Sequence, residues 1–387
     1  MRRPLAAGLA AALLAGLGAA TGPPVAGAPR SKVTTAAASV PCVTVRRIRT
    51  WPDARLAMQT LAVPVQEASV TAAAGEVRAG AGGILLFGSS APSNLASALA
   101  GLERHDVPGN LGLLVMTDEE GGGVQRMANL VGSLPWAKWM GSHWTAAEIE
   151  RHVAAVGRKM ASNGVNVDLA PVVDVDGRSV VPGPSDPDGL RSFSGTTSVV
   201  SRDGVAYMRG LLSAGVIPVL KHFPGLGGAS GNTDDGPAHT LSWSKLKKVG
   251  LPPFTTAIGQ GAPAVMVSNA TVPGLASYPA SLSPAAIGRE LVRTLGFKGL
   301  VMTDSLSAGA ISAAGFSVPS AAVQALRAGA DMVLFGKGTM TARQIAALTT
   351  KIESAIVSAT THGLLARWRL AAAATAVLAA RHRVCSI

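Results

Sequence analysis

Eight apolar runs of five or six residues recur along the chain, at residues 61–65, 82–87 (GGILLF), 112–117, 165–170, 216–220, 263–267, 299–303 and 330–335 (ADMVLF). Within each run apolar side chains occupy both parities. Such runs suit strands covered on both faces, as in a parallel sheet clad in helices. Helical stretches fill the intervals at residues 145–163, 202–214, 246–258, 284–295 and 320–328, and another follows at 341–358. This alternation predicts a single α/β domain folded as a (β/α)8 TIM barrel. A doubly wound sheet is the competing arrangement. It often carries a Gly-rich nucleotide turn, and GGG at 121–123 lacks both the G-x-G-x-x-G spacing and its acidic partner.

The ends of the chain differ from its middle. Residues 1–28 begin with Arg2 and Arg3, continue as an apolar run and finish in small residues, the pattern of a secretory signal peptide. Residues 29–41 are rich in Ala, Ser, Thr and Pro and read as a flexible spacer, which leaves 42–387 as the folded domain. The formal net charge of +12 belongs to the ends. Seven basic residues lie in 1–50 and four in 361–387, both stretches free of acids, so the remainder holds 23 basic against 22 acidic residues. A near-neutral body without interleaved aromatic and basic residues gives no nucleic-acid face, while basic ends favour an anionic cell envelope. Cys42 and Cys385, at opposite ends of the expected mature chain, form a disulfide in an oxidising compartment or stay as free thiols. The apolar stretch 370–380 is too short to span a bilayer and reads as a terminal helix packed on the body. An exported monomer is the expected form.

Polar side chains gather where five of the expected strands end. They include Asp118 in MTDEEGGGVQR, the run NVDLAPVVDVDGR, the loop KHFPGLGGASGNTDDGPAHT, Ser268 with Asn269, and Asp304 in VMTDSLSAGA. A TIM barrel carries its chemistry at those ends. Carboxylates and neutral hydrogen-bonding groups suit a ligand with many hydroxyls, and the scattered histidines argue against a metal site. Asp304 directly follows a buried run and is the candidate nucleophile; the alternative is a cap for the helix that follows. The loop after the fifth strand supplies candidate acids in Asp234, Asp235 and His239. Its glycines predict a pliable segment that closes over a ligand. Lys221 and His222 precede that segment, placed to hold sugar hydroxyls.

The landmarks GGILLFG, TDEEGGGVQR, GVNVDLAPVVDV, RSFSG, KHFPG and MTDSLSAGAI, in this order between about residue 55 and residue 345, resemble glycoside hydrolase family 3, in its single-domain bacterial β-N-acetylhexosaminidase branch. The resemblance implies a TIM barrel, a retaining exo-acting β-glycosidase, a glycan substrate such as cell-wall fragments, and no cofactor or metal. It makes Asp304 the nucleophile and assigns Asp118, Arg191, Lys221 and His222 to the first sugar, with Arg126 in the same motif as Asp118. The chain departs from the branch in one loop. KHFPGLG stands for KHFPGHG, with Leu226 in place of His, and Asn232-Thr233-Asp234 stands for Asp-Ser-His. Asp234 is therefore the candidate acid, with Asn232 as its orienting amide and His239 as the second candidate. A β-glucosidase-like preference and a silent glycan-binding protein remain as alternatives.

Overall fold

The computed structural model describes residues 41–385; the leader, and the spacer up to residue 40, lie outside the described residues. The eight apolar runs become eight parallel strands: β1 (Leu61–Gln66), β2 (Gly83–Phe87), β3 (Leu114–Thr117), β4 (Val167–Asp168), β5 (Ile217–Phe223), β6 (Ala264–Val267), β7 (Leu300–Thr303) and β8 (Val333–Leu334). They pair in the order β8-β1-β2-β3-β4-β5-β6-β7. A parallel bridge between Met302 and Met332 closes the ring, with Thr303 N–H donating to Met332 O at 3.0 Å. The (β/α)8 barrel is therefore present as the sequence predicts.

Strand parity divides the core in two. Ala62, Leu85, Leu114, Met116, Val219 and Met302 fill the barrel interior. Their neighbours Val63, Ile84, Val115, Leu220 and Val301 face the surrounding helices. Both parities are apolar because both faces are covered. The helix Arg367–Ala380 lies across the N-terminal ends of the strands. Its Val377 belongs to the interior core, Arg369 reaches the carbonyls of Gly329 and Ala330 before β8, and Arg381 just beyond it reaches that of Gly112 before β3. Cys42 and Cys385 are bonded, with their Cα atoms 5.3 Å apart, and tie the two ends of the domain together. Among the described residues no helix is long and apolar enough to cross a membrane.

The helix Ala146–Ser162 shows how local sequence sets an element. Thr145 and Glu148 cap it reciprocally, and Ile149, Val153, Val156 and Met160 form its buried stripe. The stretch 246–258 departs from expectation and forms two helices, Trp243–Val249 and Leu251–Gly259. Pro252 and Pro253 lack the N–H groups a continuous helix needs, so a new helix starts there. A helix at Leu95–Asp106 and a hairpin of Glu119–Gly121 with Val124–Gln125 add to the expected elements. In the hairpin, Gly121 and Gly122 take left-handed φ values of 106° and 59°.

Candidate active site

The inward parity of the strands carries polar side chains at or just past their C-terminal ends. Met116 is followed by Asp118, Val219 by Lys221, and Met302 by Asp304. His222 joins Lys221 at the mouth because pairing between β5 and β6 shifts register between Leu220 and Phe223. Such an irregularity re-aims a side chain. These groups, with Glu120, Arg126, Arg191, Asn232 and Asp234, line one cavity of about 500 Å³. That lies within the range of about 300–1,000 Å³ usual for small-molecule sites.

Lys221 is the hub of a buried ionic network. Its Nζ donates to Asp118 Oδ1 at 2.9 Å and sits 2.6 Å from Glu120 Oε1. Arg191 donates through Nε and Nη2 to both Glu120 oxygens, each at 2.8 Å, and through Nη1 to Pro187 O. Arg126 stands 3.6 Å from Asp118 Oδ2 and packs over the ring of Phe87. Burial alone would neutralise these groups. The opposed charges win, holding Asp118 and Glu120 below the ordinary carboxylate range and Lys221 above its own. The network fixes Asp118 as an ionised acceptor. Arg191 is committed mainly to Glu120, so few of its N–H groups remain for a ligand.

His222 is held by a carboxylate behind it. Its Nδ1 lies 2.7 Å from Asp174 Oδ2, while Asp174 also accepts the His222 N–H at 3.1 Å and the Leu226 N–H at 2.6 Å. The proton therefore belongs on Nδ1. Burial, reinforced by Arg191, lowers the imidazole pKa to about 4, so the ring is neutral at pH 7. Asp188 is buried beside Asp174 and raised well above the usual range by burial and by that neighbour, and burial raises Asp174 as well, to about 6. Among the described residues Asp174, Asp188 and His222 form the one group close enough to share a metal ion. Asp174 accepts the N–H groups of His222 and Leu226 and faces His222 Nδ1, whereas both carboxyl oxygens of the buried Asp188 have no hydrogen-bond partner among the described residues.

Asp304 is half-buried. Its Oδ1 accepts the Ser305 N–H at 2.7 Å, and its own N–H donates to Val267 O. The next helix starts at Gly309 with Ala308 as its cap, so the carboxylate is no helix cap. Burial and the neighbouring Asp234 raise its pKa.

Asp234 reaches the cavity from the loop after β5. That loop is pinned. The N–H groups of Gly309 and Ala310, at the start of the helix after β7, donate to the carbonyls of Asp234 and Thr233 at 3.0 and 2.9 Å, and Asn232 N–H donates to Pro184 O at 2.8 Å. The glycines serve shape here. A Cβ on Gly227 would lie 2.1 Å from Val175 O, and one on Gly309 would lie 2.8 Å from the Asp235 backbone. The expected pliable lid is thus a docked loop, because its carbonyls satisfy N–H groups that the helix leaves open. Asn232 departs from expectation too. Its Oδ1 accepts the Asp234 backbone N–H at 3.0 Å, which shapes the turn without holding the Asp234 carboxyl. His239 lines a separate depression with Asn269 and Thr271, its N–H held by Ser230, so it lies away from the cavity. Leu226, in the place of the usual histidine, is buried against Ala229 and Ala270 at the cavity wall.

Sequence reasoning passed over Glu120, Asp174 and Lys337. Glu120 lay in a quoted motif, and the glycines after it signalled the hairpin that turns it inward. Asp174 sat in another, between strands four and five. Lys337, on the cavity rim, carries no local signal.

The model of the glycosyl hydrolase family 3 N-terminal domain matches residues 59–369. Beta-hexosaminidase LpqI of Mycobacterium tuberculosis is 37% identical over 284 residues, 71% of this chain and 70% of its own. A crystal structure of a family 3 glycosyl hydrolase from Mycobacterium smegmatis is 37% identical with a TM-score of 0.75, covering 86% of this chain and 98% of that one. Beta-N-acetylhexosaminidase from Beutenbergia cavernae is 26% identical with a TM-score of 0.75, covering 86% and 99%. The chain belongs to glycosyl hydrolase family 3.

Proposed function

We propose that this family 3 hydrolase is a retaining exo-β-glycosidase that removes terminal N-acetylglucosamine from cell-wall fragments or related glycans. One observation carries the reading: Asp304 and Asp234 reach a single cavity from two loops hydrogen-bonded to each other, beside a set of fixed donors and acceptors. Asp304 attacks the anomeric carbon as Asp234 gives its proton to the departing oxygen. Water then breaks the glycosyl–Asp304 ester and returns a proton to Asp234. Asp234 is exposed at the cavity mouth, and partial desolvation there raises its pKa, which supports its protonated role. Asp118, Lys221, His222 and the remaining N–H groups of Arg191 hold the sugar hydroxyls. A pocket suits a chain end better than a long polymer. The relatives named as hexosaminidases support the N-acetyl preference, whereas Asp234 in place of the branch's histidine favours a β-glucosidase-like alternative.

The leader pattern of residues 1–28, the spacer to residue 41 and the disulfide support export of a barrel domain spanning 42–387. A panel of aryl β-glycosides tests the activity. Turnover of the N-acetylglucosaminide is expected, and turnover of the glucoside alone transfers the assignment to the alternative. Asp304→Ala should abolish turnover while preserving the fold; surviving activity rejects this mechanism. Asp234→Ala should spare good leaving groups more than poor ones, and equal loss on both excludes it as the acid.

A further inference from the structure

We propose that the N-terminal end of the barrel, opposite the cavity, is a docking face for an anionic lipid bilayer. The excess positive charge of the chain lies at its ends, and the fold brings the described parts of both ends to this one face. The helix Val45–Ile48 lies beside the floor helix Arg367–Ala380, whose Arg367 donates to the carbonyls of Arg49 and Trp51 at 2.7 and 2.6 Å. Arg46, Arg47 and Arg49 are exposed there. Lys298 just before β7, and Arg327 in the last turn before β8, add exposed charge at the same end. Among the described residues none of these five has a carboxylate within ion-pair distance, while Asp53 and Asp331 of this end are already matched by Arg367 and Arg369. Asp106, before β3, is likewise paired with Arg78, and Glu103 faces Arg381 and Arg383, so the surplus charge is positive.

Two apolar side chains stand in the same corner. Trp368 is 73% exposed and Leu364 63%, both at the turn leading into the floor helix. An exposed indole on the same face as unpaired cations matches the interface of an anionic membrane, where Trp sits at headgroup level and basic residues meet the surface potential. A soluble polyanion needs the cations but has no use for the exposed apolar pair. Docking by this face leaves the cavity at the far end open to solvent. The described chain also enters at Pro41 and leaves at Cys385 on this face, joined through Cys42.

Flotation of the full chain with vesicles of phosphatidylcholine, with and without about one-third phosphatidylglycerol, tests the proposal. Binding is expected only with the anionic lipid and is expected to fall with salt. A basic residue near such a surface contributes about 1 kcal/mol, or about fivefold in partition. The triple variant Arg46→Glu/Arg47→Glu/Arg49→Glu should lose about 100-fold or more, since it removes three cations and adds three anions, and Leu364→Ser/Trp368→Ser should also bind more weakly. Both variants should hydrolyse a soluble aryl glycoside as the unaltered chain does, which separates docking from folding and from the catalytic reading. Any of three vesicle results overturns the proposal: no vesicle binding, equal binding to neutral vesicles, or variants that bind like the unaltered chain. Binding to soluble polyphosphate as tight as to vesicles, unaffected by Leu364→Ser/Trp368→Ser, overturns it in favour of a general polyanion site.

Discussion

Lys337 bears on the proton that Asp234 is proposed to donate. Partial desolvation at the cavity mouth raises that carboxyl's pKa, and the nearby ammonium opposes the rise. Removing the cation should raise the pKa further. Lys337→Ala is therefore expected to move the alkaline limb of the kcat/KM profile to higher pH, and Lys337→Glu to move it more. A limb that stays in place assigns that ionisation to another group. Asp174→Asn should act through His222. It replaces a carboxylate that accepts three N–H donors, at a cost of about 1–3 kcal/mol in stability, and should raise KM more than it lowers kcat if His222 serves binding. A thermal melt beside the kinetics separates the two effects. Asp118, Lys221 and Asp304 were legible in the sequence because each continues the inward parity of a buried run. Glu120 and Asp174 were not, since nothing local says that one lies on a turned-in hairpin or that the other meets His222 across 48 residues.

At the level of elements, the loop after β5 rests on the helix after β7, so the two carboxylates are set by one contact. Gly309→Ala puts a methyl group against the Asp235 backbone. It is expected to reduce turnover of poor leaving groups, which need the acid, by about tenfold or more if the loop shifts by about 1 Å. The melting temperature should change little. Equal loss on good and poor leaving groups would place the effect elsewhere than at the acid. The sequence announced most strands and the capped helix at Ala146–Ser162, because period and cap agree there. It blurred the break at Gly250, where an apolar stripe continued through two prolines. The docking of the Asp234 loop was hidden for a different reason: backbone carbonyls make that contact, and glycine composition alone reads equally as looseness or as close approach.

At the scale of the whole molecule, the barrel was plain from eight apolar runs with helices between them, whereas the convergence of the charged ends on one face needed the path of the floor helix. The Cys42–Cys385 bond spans a separation of 343 residues. Reducing it, or replacing both cysteines by serine, should lower stability by about 2–5 kcal/mol, measured as a fall in Tm under reducing relative to non-reducing conditions, or in the double serine variant. The floor helix has a further consequence for how the molecule comes into being. Its Val377 completes the interior core of a barrel whose first strand begins at Leu61. A chain emerging from its N-terminus can lay down strands and cladding in turn, but it cannot seal the barrel until the helix Arg367–Ala380 is free. The interior core therefore stays open at its base through the synthesis of all eight strands.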